Sequence, residues 1–508
     1  MNAGGHRDRV AAGAAWSLVS WVVALVAGPV VAVLVVHSIS HRQYGSFSQA
    51  TSLVAILAGL TSLGLSTAVI QVAVTERSRR GDAGEAGAIN SAVRIAAVTT
   101  LAGVVVSAMG AVLLYSVPSL RPSASPFIAL IPIVLLAPFA GVVSAVARIL
   151  YRPRHVATAA IAAPISGAAI MFAIIVSGHA NDVTIAAATS AAAVIGFVTL
   201  AATLRRWYRG IDRTVRLDGG SARLLAFGIP ALVGHGFVLT TSELTVLLLG
   251  SSHGSRIAGL YTPAAAMALT VVAIPAATSS FYLPAATDLA AHRDLAGLAG
   301  LYHWITRWNI TLASPAIAVL LVAPKAILTV VFGPAFASMC GVLRLLMVGV
   351  TVQVASGYNG LTLDAFGLPK VVAARQGTAL ALSVVACVVL IPTFGAAGAA
   401  IACSFALVAA NILTSAVLAL RFRIWPWDRA TGGTFAVLAA AMAISAGMIA
   451  TIHSTFWQCV VVAATSGTAT GVAALIFGGR AERSAIANRL RRRLSRNGLV
   501  PGTVEEGR

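Results

Sequence analysis

The basic residues of this chain fall almost entirely into every second loop between long apolar runs. That alternation limits the possible folds more than any other feature. The apolar runs lie at 11–37, 48–73, 93–116, 127–149, 157–178, 184–204, 224–250, 258–283, 308–323, 340–365, 376–393, 396–420, 432–452 and 457–478, fourteen in all. A helix needs about 20 apolar residues to cross about 30 Å of hydrocarbon, so these runs read as membrane spans. Thirty of the 35 Lys and Arg residues lie in the tails and in the loops of one side. Four, Arg42, Arg121, Arg256 and Lys325, lie on the other side, and Arg344 falls within a span. Positive charge is retained on the cytoplasmic side of a membrane protein. The split therefore predicts both termini in the cytoplasm and an even number of spans. Lipid offers the backbone no hydrogen-bond partners, so spans of this length must be helices. The expected class is an all-α integral membrane protein with about 14 transmembrane helices.

Composition excludes the other broad classes. The chain is 58% hydrophobic and 10% charged, with a mean hydropathy of +0.90, which no ordinary soluble domain shows. In a soluble protein a net charge of +20 would suggest nucleic acid. Here the charge lines one membrane face, where anionic headgroups account for it, and no nucleic-acid partner is expected. Cys340, Cys387, Cys403 and Cys459 lie in or beside apolar runs without metal-ligand spacing, and read as small core residues. The first apolar run, of about 27 residues, is too long for a cleavable signal peptide. Arginine outnumbers lysine 33 to 2, the mark of a GC-rich bacterial genome. Every loop is short, the longest about 20 residues, which leaves no room for an extramembrane catalytic domain. No catalytic motif and no P-loop is present. The chain reads as a non-enzyme with no cofactor, and its function must lie within the bundle.

The sequence repeats itself weakly. Tyr44-Gly45 enters the second span as Gly259-Leu260-Tyr261 enters the eighth, with Gly45 and Gly259 offset by 214. Pro153-Arg154-His155-Val156-Ala157 after the fourth span matches Pro369-Lys370-Val371-Val372-Ala373 after the tenth, at an offset of 216. Together these favour a duplication of spans 1–6 into spans 7–12. Six is even, so the copies enter from the same side and should be related by an axis along the membrane normal. The expected division is 1–212 for the first lobe, 213–424 for the second, 425–480 for two appended spans and 481–508 for a basic cytoplasmic tail. Loop 205–223, with Trp207 and Tyr208 among arginines, reads as a short interfacial helix. In the tail, Ile486, Leu490 and Leu494 among arginines read as a second helix on the anionic inner leaflet, followed by disorder.

Polar groups inside lipid are expensive, and each is a functional candidate. The seventh span carries His235, Thr240, Thr241, Ser242 and Glu243. Glu243 is either a wet carboxylate near the outer interface or a cavity-facing group able to bind a proton or cation. His235 is either an interhelical hydrogen-bonding group or a coupling residue. The tenth span carries Arg344, Gln353, Ser356, Tyr358, Asn359 and Asp364, with Gln353, Ser356 and Asp364 on one helical stripe. Arg42, Arg94, Arg148 and Arg344 sit at or near span ends. Each either snorkels to the interface or holds a phosphate in a cavity. Pro29, Pro138, Pro164, Pro230, Pro275 and Pro315 lie within spans and should kink them.

These residues also resemble a known family. Tyr44-Gly45-Ser46-Phe47 with Leu63-Gly64-Leu65-Ser66-Thr67-Ala68, and Phe227-Gly228-Ile229-Pro230, are similar to the openings of the halves of polysaccharide flippases. Gly259-Leu260-Tyr261, Val331-Phe332-Gly333-Pro334-Ala335-Phe336 with Leu343-Arg344-Leu345-Leu346, and the segment Pro392–Ala400 fit the same pattern. The family is the polysaccharide (O-antigen, lipid-linked oligosaccharide) flippase branch of the MATE-like MOP superfamily, and the likeness runs from about 10 to 480. It implies two pseudo-symmetric six-helix lobes around a central cavity, plus two C-terminal helices. It also implies alternating access in a bacterial plasma membrane, serving cell-surface polysaccharide biosynthesis. The implied substrate is a polyprenyl-diphosphate-linked oligosaccharide. H+ or Na+ would be possible coupling ions, and a glycan polymerase or glycosyltransferases possible partners. The substrate-binding candidates are then Arg42, Arg94, Arg148, Arg344, Gln353 and Asn359. The coupling candidates are Glu243, His235 and Asp364. The lipid II flippase branch carries arginines in its first span, whereas this span has none after Arg9, which argues for a different glycan. Three other readings stand beside this one. A MATE-like cation-coupled exporter of small molecules would share the fold. A membrane glycosyltransferase or polymerase would need an acidic pair on a long outer loop. A non-transporting scaffold would have the basic tail as its support.

Overall fold

The structure is a computed structural model that describes residues 23, 27–150, 153–210, 212, 214–215, 217–449 and 451–477. Every regular element among the described residues is helical. The chain runs through α1 (Ala27–Ser38), α2 (His41–Ser62), α3 (Leu65–Ser116), α4 (Ala124–Ile149), α5 (Pro153–Val176) and α6 (Asp182–Arg209), which make up the first lobe. The second lobe holds α7 (Gly220–Leu239), a π-helical turn (Thr240–Leu244), α8 (Thr245–His253), α9 (Ser255–Ala291), α10 (Leu295–Val322) and α11 (Pro324–Phe332). It continues through α12 (Cys340–Ala355), α13 (Asn359–Ala365) and α14 (Pro369–Phe422). Helices α15 (Arg429–Ile449) and α16 (Thr455–Phe477) follow and pack on α10.

Nine stretches among the described residues are long and apolar enough to cross a membrane. Two of them double back. Gly81 (φ 64°) and Gly395 (φ 56°) interrupt α3 and α14 in a conformation that disfavours any side chain. At each glycine the helix reverses, so the carbonyl of Glu76 lies against Gly84 and that of Leu390 against Gly398. The expected loop at 75–94 is therefore a sharp helical corner, and so is the boundary between the eleventh and twelfth runs. With these corners the helices are consistent with the fourteen runs. Of the first run, only its C-terminal part, α1, is described. The outer faces of the helices leave Val98, Leu101, Met109, Phe172 and Val176 exposed, as lipid contact requires.

Local chemistry sets several boundaries. Ser40 caps α2 in a reciprocal box with Gln43. Asp294 caps α10 through the Gly297 N–H, at 2.8 Å. Asp428 caps α15 through the Thr431 N–H, at 2.7 Å. Its carboxyl is held below the ordinary range by the Thr431 hydrogen bonds and the nearby His303 and Arg307, against the opposing effect of burial.

Some expectations change. The ninth run begins at 308 in sequence, but α10 starts at Leu295 and carries Arg307, which is buried at 6% exposure. The tenth run is broken at Gly357 (φ 58°), which packs directly on Thr306. Gln353 on α12 and Asp364 on α13 therefore do not share one continuous helix. The linker at 205–223 forms no separate helix among its described residues. Instead α6 runs on to Arg209, turns follow, and the Asn90 side chain pins the linker to the Asp212 and Val215 carbonyls. The basic tail at 481–508 lies outside the described residues. Cys387 and Cys403 are buried, and all four cysteines are free.

The lobes meet along α2. At the sparsely charged face, Gly45 and Gly259 touch backbone to backbone. A Cβ on Gly45 would lie 3.0 Å from the Gly259 nitrogen, and a Cβ on Gly259 would lie 2.9 Å from the Gly45 nitrogen. Gly45 also abuts the Ser255 carbonyl, and Gly259 abuts the His41 carbonyl. The offset of 214 maps one pairing onto the other, since it takes Gly45 to Gly259 and His41 to Ser255, as a two-fold axis between the lobes would. Small residues allow such approach in a membrane, where packing and not water exclusion drives association. Further along α2, Leu63 (φ 44°) and Gly64 (φ 63°) bend the chain where it crosses Gly228 of α7. A left-handed Leu costs about 1–2 kcal/mol, and the contact of its carbonyl with Gly228 holds it there.

Topology is directly testable. Single cysteines replacing Arg80, Asp212 or Pro426 should react with a membrane-impermeant maleimide only after permeabilisation. Cysteines replacing Arg121, Asn181 or Ser454 should react in intact cells. Three or more discordant positions would overturn the assignment drawn from charge.

Candidate functional site

Just inside the Gly45–Gly259 contact lies a cavity of about 290 Å³ between the lobes. One wall is a face of α2, built from Tyr44, Phe47, Ser48, Thr51 and Ser52. Their spacing at i, i+3, i+4, i+7 and i+8 gathers them on one side of the helix. The facing wall comes from Tyr261, Thr262, Ala265, Ala266 and Leu269 of α9. The offset of 214 relates Phe47 to Tyr261, Ser48 to Thr262, Thr51 to Ala265 and Ser52 to Ala266. The cavity thus straddles the same two-fold as the glycine contact. Cys403 of α14 and Val246 of α8 complete it on the second-lobe side.

Ser242 and Glu243 reach this cavity from the π-helical turn. A π turn adds a residue to the helix and re-aims the side chains after it, and such turns concentrate at functional sites. Among the described residues, Glu243 is the one charged side chain lining the cavity. Its Oε1 accepts a hydrogen bond from Ser242 Oγ at 3.0 Å. Ser48 donates to the Tyr44 carbonyl at 2.8 Å, Thr51 to the Phe47 carbonyl at 2.9 Å, and Thr262 to the Ala258 carbonyl at 2.8 Å. Each of these hydroxyls spends its proton on its own helix and keeps its lone pairs.

At the basic face the lobes are tied by charge. Arg223 of α7 donates to Glu76 Oε1 at 2.5 Å, and Arg80 and Arg79 of the first lobe lie 3.6 and 3.8 Å from the same carboxylate. Glu76 is 2% exposed. Beside it, Arg77 pairs with Glu85 at 3.1 Å. The Glu85 carboxyl is raised above its ordinary value, chiefly by burial and further by Asp82, with Arg77 opposing. Arg77, Asp82 and Glu85 line a second, partly open cavity of about 680 Å³, to which the linker contributes Asp212 and Val215.

The other candidates are dispersed. Arg42 on α2, Arg94 on α3, Arg148 in the last turn of α4 and Arg344 on α12 are all exposed. Arg344 Nε donates to the Leu321 carbonyl at 3.1 Å, near the end of α10. Gln353 and Asn359 are brought together within the second lobe. Asn411 donates to Gln353 Oε1 at 2.6 Å, and Asn359 donates to Asn411 Oδ1 at 3.1 Å and to Ser415 at 3.2 Å. Asp364 lies within electrostatic reach of Arg375. The side chain of His235 lies outside the described residues. Sequence reasoning missed the hydroxyl face of α2. Its signal was present in the helical spacing of Tyr44, Ser48, Thr51 and Ser52 and in the partial match of that face to 258–266. Nothing in the sequence pointed to the Glu76–Arg223 pair.

Two helical lobes meet along a pseudo-two-fold, with a partly open, largely apolar cavity between them that carries hydroxyls and one carboxylate, in a chain with many helices apolar enough to cross a membrane. The polysaccharide biosynthesis protein family matches residues 10–286, and the chain belongs to that family. No curated protein matches the chain. Among solved structures, the lipid II flippase MurJ in an inward closed conformation aligns with 93% of this chain and 99% of its own, at a TM-score of 0.72 and 11% identity. An inward-facing multidrug resistance MATE transporter of the MOP superfamily aligns with 80% of this chain and 94% of its own, at 0.59 and 13%. A MOP superfamily transporter from Pyrococcus furiosus, with a binding pocket of reversed polarity, covers 81% and 95%, at 0.54 and 14%. At these identities the likeness is one of fold.

Proposed function

We propose that this protein is a flippase that carries a polyprenyl-diphosphate-linked oligosaccharide from the inner to the outer leaflet of a bacterial plasma membrane. The single observation that carries this reading is the interlobe cavity, lined by symmetry-related hydroxyl and aromatic residues, in a chain of the polysaccharide biosynthesis family. The two closures around it supply the two gates that alternating access requires. The glycine contact is one, and the Glu76–Arg223 pair is the other. Both termini lie in the cytoplasm on this reading, and the basic face meets anionic headgroups. Arg42, Arg94, Arg148 and Arg344 are the cations that could meet the diphosphate during passage, since a guanidinium binds phosphate through a planar fork. A glycan polymerase or glycosyltransferases would be its partners.

A cation-coupled exporter of small molecules is the second reading, favoured by Glu243 in the cavity and by the MATE-like fold. Depletion of the protein, followed by mass spectrometry of the polyprenyl-linked intermediates, separates the two. Under the first reading one glycolipid should accumulate several-fold on the cytoplasmic side. An unchanged glycolipid pool would reject the flippase and leave the exporter.

A further inference from the structure

Most of the polar atoms that face the interlobe cavity are set to accept hydrogen bonds; the Tyr44, Tyr261 and Ser52 hydroxyls are the groups in its lining that can also donate. Ser48, Thr51 and Thr262 give their hydroxyl protons to their own helix carbonyls, so only oxygen lone pairs remain for a guest. Ser242 gives a proton to Glu243, whose carboxylate is an acceptor throughout. Among the described residues, no lysine or arginine lines the cavity. Phe47 and Tyr261, related by the offset of 214, add two aromatic surfaces. Such a ring offers an apolar face to the C–H side of a pyranose. The volume of about 290 Å³ equals that of about ten liquid waters, which is room for a single sugar ring.

We propose that this cavity is a subsite for one donor-rich sugar, neutral or amino-bearing, and that Glu243 is the specificity residue that excludes uronic acids. The proposal rests on the flippase reading and names part of its substrate class. A hexose brings several O–H donors, and two of them can bridge the two oxygens of one carboxylate. An amino sugar brings an ammonium, which pairs with that carboxylate directly. A uronate brings a second carboxylate, which accepts only and sets a like charge beside Glu243. Specificity of this kind arises as much from rejecting the wrong guest as from holding the right one.

The test is equilibrium binding to the full-length protein in lipid nanodiscs, with no ion gradient. Three probes are used: undecaprenyl diphosphate, the same lipid carrying one glucose, and the same lipid carrying one glucuronate. Wild type should bind the glucose lipid at least about tenfold more tightly than the glucuronate lipid, the scale of one charge-assisted hydrogen bond. Glu243→Gln should bring the two within about threefold, mainly by improving the glucuronate lipid. Thr262→Asp, which adds a carboxylate on the symmetry-related wall, should widen the preference and provides a second variant should the first fold poorly. A carboxylate that served only to carry a proton or sodium ion would leave the glucose-to-glucuronate ratio unchanged in Glu243→Gln, and that result would overturn the proposal. Equal binding of both sugars by wild type would also overturn it. In that case tight binding of the sugar-free lipid leaves the flippase reading standing. If none of the three lipids binds, the flippase reading fails and the subsite fails with it.

Discussion

Gly45→Val should abolish transport and hold the sparsely charged side of the protein open. The Cβ position at residue 45 overlaps the Ser255 carbonyl, which is backbone and cannot rotate away. Residue 45 lies inside α2 with ordinary helical geometry, so a branched side chain does not strain its own helix. The cost falls instead on the contact between α2 and α9. Overpacking a close contact costs about 1–3 kcal/mol, enough to shift a two-state equilibrium by roughly 5- to 150-fold. Gly259→Val should act in the same direction because the contact is reciprocal. The measurement is maleimide labelling of a cysteine at Ser48 from outside intact cells. Labelling should be slow in the parent and rise by at least about fivefold with Gly45→Val, as that shift predicts. Unchanged labelling together with normal export would show that this contact is not a gate.

Glu76→Gln should do the opposite and favour opening at the basic face. The carboxylate is buried and receives Arg223 from across the lobe boundary at 2.5 Å. The amide keeps the shape but loses the charge, and leaves three arginines without their shared anion. Because Arg223 is 44% exposed, solvent screens part of the effect, and about 1–2 kcal/mol is expected. Arg223→Gln should give a smaller effect, since Arg79 and Arg80 still face Glu76. The double variant should cost less than the sum of the singles, as paired groups require. The readout is protection of a cysteine at Ala68, which is fully buried and packs beside Gly228 of the other lobe, from a maleimide added to inside-out vesicles. If that cysteine stays equally protected in all three variants, the pair is an ordinary surface contact with no gating role.

Much of the architecture was legible without coordinates. A run of apolar residues long enough to span lipid has one good backbone solution, and the side on which arginine collects follows from the membrane. The repeat was visible because Gly45 and Gly259 kept the same residue at equivalent positions. Membrane position of Glu243 was legible too, since a carboxylate stands out in an apolar run. Its aim was not. Whether it faces water, lipid or a cavity depends on the π turn at Thr240–Leu244, and one inserted residue leaves no mark in local composition.

The sequence by itself determined the all-helical membrane class, and it predicted the spans, the side that faces the cytoplasm and the repeat of the lobes. Each of these depends on local hydropathy or on charge counted loop by loop. Tertiary structure alone decided which polar groups meet. Glu76 and Arg223 lie 147 residues apart, and Asn359 and Asn411 lie 52 apart. The cavity exists only because α2, the π turn and α9 converge on one axis. Hydrogen bonds and ion pairs act over a few ångströms, so their partners are set by how helices pack and not by the order in which they are threaded.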